Sequence, residues 1–117
     1  MIVHVVLFRP RADLSETSRR ELIEGLATAA AQIPCIRRFH VGRRVLLGIP
    51  GYEQAAIEAY DYAAIVEFDD REGLLTYLAH PAHRRIGEHF TTSADAALAY
   101  DYEMVEATRA GDLLPDG

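Results

Sequence analysis

Lysine is missing from this chain: all 12 basic residues are arginine, against 18 acidic residues, for a formal net charge of −6. That deficit of positive charge makes the domain a poor electrostatic partner for a phosphate backbone. Two arginine pairs, Arg37-Arg38 and Arg43-Arg44, are interrupted by Phe39, His40 and Val41, so no nucleic-acid partner is expected. Cysteine is nearly absent. Cys35 alone excludes an internal disulfide framework and a cysteine-rich zinc site, and with no activating neighbours it reads as a small buried residue. Long apolar runs are lacking as well. No segment approaches the length needed to span a bilayer, and the N-terminus begins directly with a strand-like run, so a soluble cytoplasmic protein with no membrane contact is expected.

What is present suffices for one core. The chain has 117 residues, half of them hydrophobic, which is enough to bury a single domain without staples. Ile2 to Phe8 is a β-branched and aromatic run broken only by His4, the pattern of a strand buried on both faces. Asp13-Leu14-Ser15-Glu16 has the form of a capping box with Asp13 at the cap. Behind it Leu22, Ile23, Leu26, Ala30 and Ile33 recur at helical spacing, predicting an amphipathic helix of about five turns that Pro34 stops. Ile36 to Leu47 alternates, with Phe39, Val41 and Val45 opposite Arg38, His40 and Arg44, and predicts a half-exposed strand. Gly48 to Tyr60 reads as a loop with one helical turn around Gln54 to Ile57. Tyr62 to Phe68 is a second strand apolar on both faces, and Asp69-Asp70 caps the helix carrying Leu74, Leu75 and Leu78. Ala99 to Val105 predicts the last strand, and the polar, Gly/Pro-punctuated tail from Thr108 is expected to be poorly ordered.

The densest chemistry lies in Tyr77-Leu78-Ala79-His80-Pro81-Ala82-His83, where two imidazoles and a phenol fall within seven residues. Proline has a fixed φ and no N–H, so Pro81 suits the first position of a helix and His80 its N-cap. His83, Ile86, Gly87 and Phe90 then share one stripe of the new helix, while Leu74, Tyr77 and Leu78 share a face of the preceding one. Tyr77 and His83 would thus point inward from opposite sides of one corner. The plain alternatives are a core histidine bonded to a carbonyl for His83, an end-capping role for His80, and a core aromatic for Tyr77. His4, His40 and His89 read alone as structural or surface residues. His80 and His83 are three apart, but no third ligand stands at helical spacing, so no metal is expected.

The order strand, helix, strand, strand, helix pair, strand is most simply an α+β fold, a four-stranded antiparallel sheet with helices on one face. Helices on one side leave the other face of two fully apolar strands uncovered, which soluble monomers rarely tolerate. A second copy of the sheet is the economical cover, so a homodimer is expected.

The opening His4-Val5-Val6-Leu7-Phe8, the helix ending Ile33-Pro34, the strand Ile65-Val66-Glu67-Phe68, the Tyr77 to His83 corner and the closing Tyr100-Asp101-Tyr102 together resemble the stress-responsive dimeric α/β-barrel (Dabb) family, a ferredoxin-like group. The resemblance covers residues 1–106 and leaves 107–117 as a flexible tail. It implies two sheets from two subunits forming a barrel, with a pocket between each sheet and its helices. Family members include plant polyketide cyclases, which close a poly-β-keto chain by aldol condensation, and stress-associated proteins of no established catalytic role. From the cyclase pattern Tyr77, His83, His4 and Asp101 carry over as catalytic residues, Asp101 orienting or polarising a catalytic histidine. A pocket-lining tyrosine of that pattern is replaced here by Leu26, which with Ile86, Phe90 and His80 forms the expected substrate-binding set.

Enolisation or aldol chemistry needs a base for the proton α to a carbonyl and a donor for the enolate oxygen. Neutral His83 suits the first role and Tyr77 the second, with no cofactor; Asp101, if buried, would favour the protonated form of its imidazole partner. Three classes stay open: a cofactor-free cyclase, lyase or isomerase acting on a carbonyl compound; a binding protein or monooxygenase-like enzyme for an aromatic ligand; and a non-catalytic stress-response or structural dimer.

Overall fold

The computed structural model describes residues 1–53 and 59–115. Along the chain run β1 (Ile2–Pro10), α1 (Glu16–Gln32), β2 (Arg38–Arg43), β3 (Tyr62–Phe68), α2 (Arg71–Ala79), α3 (Pro81–Ser93) and β4 (Ala94–Glu103), followed by a 3-10 segment at Ala107–Leu113. The four strands form one sheet in the order β2-β3-β1-β4, and every pairing is antiparallel. The helices cover one face, so the expected architecture stands.

Strand alternation decides what each face carries. Register aligns His4 with Val66 and Asp101, Val6 with Ala64 and Ala99, and Phe8 with Tyr62 and Ala97, all on the helix side. The core there contains Ala29 and Ile33 at the end of α1, Val66 and Phe68 of β3, and Leu74, Tyr77, Ala82 and Ile86 of the helix pair. The opposite face carries Val5 between Ile65 and Tyr100, and Leu7 between Ala63 and Leu98. Ile65 stays 41% exposed and Tyr100 53%, so this apolar surface is open in the single chain.

Local details depart from the sequence expectations in four places. The cap of α1 is Ser15, whose Oγ accepts from the Ser18 N–H at 3.1 Å, because the Asp13 carboxylate is held by the Arg11 guanidinium. Ile23, 65% exposed, and Ala30 lie outside the buried stripe, which instead runs through Leu22, Gly25, Ala29 and Ile33 at three- and four-residue steps. The second strand is only Arg38–Arg43, shorter than the expected 36–47. After Arg44 N–H donates to Asp61 O at 2.8 Å, the Glu53 carboxylate accepts from Leu47 and Gly48 N–H at 2.6 and 3.0 Å, diverting backbone groups that a ladder would need. Gly48, at φ 70°, completes that departure from extended backbone.

The last strand begins at Ala94, five residues before the expected Ala99. Helix α3 ends at Ser93 and the chain passes straight into pairing with β1, where a register shift at Arg9/Pro10 accommodates the entry. Its alanines offer no hydrophobic alternation to betray it. Beyond β4 the chain forms the 3-10 segment Ala107–Leu113, none of whose residues is buried. The helical turn expected at Gln54 to Ile57 lies outside the described residues.

The corner between the two helices follows the proline argument. Asp70 caps α2 by accepting from Gly73 N–H at 2.9 Å. His80 has φ −69° and ψ 138°, Pro81 opens α3, and His80 Nδ1 accepts from Ala82 N–H at 3.0 Å.

Candidate active site

Three polar side chains converge at this corner from three elements. His4 comes from the middle of β1, Tyr77 from the last turn of α2 and His83 from the first turn of α3. Ring centroids lie 4.6 Å apart for Tyr77 and His83, 5.7 Å for His4 and Tyr77, and 6.3 Å for His4 and His83. Phe68, 5.2 Å from Tyr77 in an edge-on contact, fixes the phenol from the sheet.

These rings close one end of a cavity of about 310 Å³ between sheet and helices. Its remaining wall is apolar: Val6 and Val66 from the sheet, Leu26 from α1, Ile86 and Phe90 from α3, and Phe39 from β2. Gly87, Ala97 and Ala99 line the side between α3 and β4, where a Cβ added at Gly87 would meet open space. Among the described residues no arginine, aspartate or glutamate lines it.

The hydrogen bonds assign each imidazole a tautomer. His4 Nδ1–H donates to Asp101 Oδ1 at 2.6 Å, the β1–β4 register having set the two residues side by side. His83 Nδ1–H donates to the Leu78 carbonyl at 3.2 Å. Both rings therefore keep Nε2 as an acceptor. Burial, with a smaller contribution from His4 nearby, holds the His83 imidazole below its ordinary pKa, against the opposing pull of the Leu78 carbonyl. Burial also pushes the Tyr77 phenol up to about 12, so it stays a protonated donor. Tyr77 is only 3% exposed, yet among the described residues its hydroxyl has no hydrogen-bond partner, and no fully buried side-chain polar atom is left unpaired. The hydroxyl is thus accessible, as a donor for a bound molecule must be.

Of the residues singled out from the sequence, His4, Tyr77 and His83 meet in this cavity with Leu26, Ile86 and Phe90 on its wall. His80 is not among the lining residues; its ring nitrogen serves the start of α3. Asp101 reaches the site through His4, and its carboxylate is 44% exposed because β4 is an edge strand. Phe39, Val6 and the β4 alanines were not foreseen as lining. The alternation of β2 could have pointed to Phe39, whereas nothing local marks the alanines. Among the described residues no group of three or more His, Cys, Asp or Glu side chains is placed to hold a metal ion, and no helix is long and apolar enough to cross a membrane.

An antiparallel β2-β3-β1-β4 sheet with helices on one face and a His/Tyr pocket beneath them defines a ferredoxin-like α/β-barrel protein. The chain belongs to the Stress responsive A/B Barrel Domain (Dabb) family, whose model matches residues 2–104. It is 28% identical over 102 residues to the stress-response A/B barrel domain-containing protein HS1 of Arabidopsis thaliana, covering 87% of this chain and 88% of that protein. Olivetolic acid cyclase of Cannabis sativa is 21% identical over 101 residues, covering 86% and 94%. Among solved structures, At3g17210 from Arabidopsis thaliana superposes with a TM-score of 0.72 at 29% identity, over 92% of this chain and 98% of that one. A dimeric ferredoxin-like protein of unknown function from Jannaschia superposes at 0.66 with 26% identity, over 88% and 98%.

Proposed function

We propose that this chain forms a homodimeric barrel and is a cofactor-independent acid–base enzyme that removes a proton α to the carbonyl of a small neutral compound, in an enolisation or intramolecular aldol reaction. The observation that carries the reading is the grouping, at one end of an otherwise apolar cavity, of two imidazoles with free Nε2 atoms and a phenol with a free hydroxyl. An apolar wall with no Arg, Asp or Glu among the described residues favours a neutral ligand over an anion or cation.

In the reaction, the Cα–H bond of the substrate breaks as His83 Nε2 takes the proton. The electron pair moves toward the carbonyl oxygen, where the Tyr77 hydroxyl donates a hydrogen bond to the developing enolate. In an aldol step the enolate carbon then attacks a second carbonyl of the same molecule, and the new alkoxide collects a proton from the imidazolium. The similarity to olivetolic acid cyclase supports this class without naming the substrate. Replacing His83 with Ala is expected to abolish deuterium incorporation at the α-carbon of a bound ketone while leaving its binding intact; unchanged incorporation would sink the assignment.

A second reading, a non-catalytic stress-response dimer, is favoured by the relative HS1. It predicts that neither wild-type protein nor variant promotes α-exchange in any carbonyl compound that binds.

A further inference from the structure

We propose that the His4–Asp101 pair is a proton conduit between the helix-side cavity and an outer groove, through which protons leave the cavity and return to it. The inference deepens the acid–base reading above and rests on its enolisation branch, in which the abstracted α-proton exchanges with water, for its place in turnover. Two spaces meet at this pair. The inner one is the cavity, lined by His4; the outer is a groove of about 720 Å³ whose rim includes Met1, Ile2, Leu74 and Asp101. Leu78 lines both and forms the apolar part of the partition. The 2.6 Å hydrogen bond from His4 to Asp101 crosses it. Exposure is graded along the pair, 8% for the His4 side chain and 44% for that of Asp101.

An imidazole can take a proton at one nitrogen and release another from the second, and a carboxylate in contact with water can hand it on. His83 has no such exit, because its far nitrogen meets the Leu78 carbonyl, a hydrogen-bond acceptor that does not take up a proton at these pH values. The groups facing His4 are Asp101 from β4, Tyr77 from α2, His83 from α3 and the apolar Val66 from β3. Outward passage forms N–H at Nε2, breaks Nδ1–H, forms O–H at Asp101 and releases that proton to groove water. His4 is then neutral with Nε2–H. Inward passage runs the same bonds backward and restores the first tautomer, so a cycle that removes one proton and returns one leaves the pair unchanged.

The test is the exchange of His4 Nδ1–H with water, followed by saturation transfer on the full chain labelled with 15N-histidine. Asp101→Asn retains the accepting oxygen but cannot take the proton. A conduit requires exchange to slow by about tenfold or more in this variant. A merely structural hydrogen bond requires the reverse, since a neutral acceptor holds the N–H less tightly. Equal or faster exchange therefore overturns the proposal. Should the variant fail to fold, wild-type exchange decides: a rate rising with acetate concentration supports carriage through the groove, and a rate independent of acetate overturns it. Deuterium incorporation into cyclohexanone tests the underlying reading separately. If the wild-type protein binds the ketone and catalyses none, the enolisation mechanism fails while the exchange measurement still judges the conduit.

Discussion

At the scale of single residues, the site places one hydroxyl and two ring nitrogens where a carbonyl compound would meet them. The Tyr77 hydroxyl has no protein partner among the described residues, so Tyr77→Phe is expected to cost about 1 kcal/mol of stability or less. It should nevertheless lower kcat by about 10²–10³, the usual effect of losing one oxyanion donor, as steady-state kinetics would show once a substrate is in hand. With its pKa near 12, Tyr77 adds no alkaline limb to the rate profile at ordinary pH. His83 behaves oppositely. Its folded pKa lies below its ordinary 6.5, so as pH falls through that value the unfolded chain binds a proton that the folded one resists. Stability should therefore be full above 6.5 and decline below it until the folded pKa is passed. Urea titrations over this range should show a weaker pH dependence in His83→Gln, and an equal dependence would dissociate His83 from the effect. The residue identities were legible before the fold because proline, imidazole and phenol carry their chemistry with them. Which histidine Asp101 would serve was not, since that follows from strand register across 97 residues of separation.

At the scale of elements, the corner of α2 and α3 was readable almost atom by atom, because proline acts on its immediate neighbours. Longer-range features were less accessible. The cap of α1 went to Ser15 through an Arg11–Asp13 pairing, β2 was cut short by Glu53, and the alanines of β4 concealed where that strand begins. In each case a side chain or a partner strand outside the local window decided the outcome, and the cavity itself exists only through packing. His80 shows how element and site separate. Its ring caps α3 through a 3.0 Å bond from Ala82 N–H, outside the cavity lining. His80→Ala should cost about 0.5–2 kcal/mol, the range for lost N-caps. In urea the midpoint should fall with the m-value unchanged, while ligand affinity stays at the wild-type level. A selective loss of affinity would return His80 to the binding set.

At the scale of the whole molecule, one face of the sheet is buried under helices and the other is open, apolar along Val5, Leu7, Ile65, Leu98 and Tyr100 with Arg38 and Glu67 paired at one side. Tyr100 stands on its β4 edge, paired with Val5 in the β1–β4 register and with its ring 6.4 Å from that of Tyr102. A second copy laid across this face would remove Ile65, Leu98, Tyr100 and Tyr102 from water at once. The structurally similar Jannaschia protein is dimeric. A two-fold interface repeats every substitution on both sides, so one buried charge per chain becomes two facing each other across the seam. Tyr100→Asp should then leave the helix-side cavity intact, because alternate residues of a strand point to opposite faces, but should shift sedimentation equilibrium from dimer to monomer at micromolar concentration. Retained binding of a ketone by the monomer would show that each cavity is complete within one chain. Loss of binding together with the dimer would mean that pairing of the sheets holds the His4–Asp101 edge in place. A variant that remains a dimer of unchanged affinity would move the interface away from this face and leave its exposed tyrosines without a role.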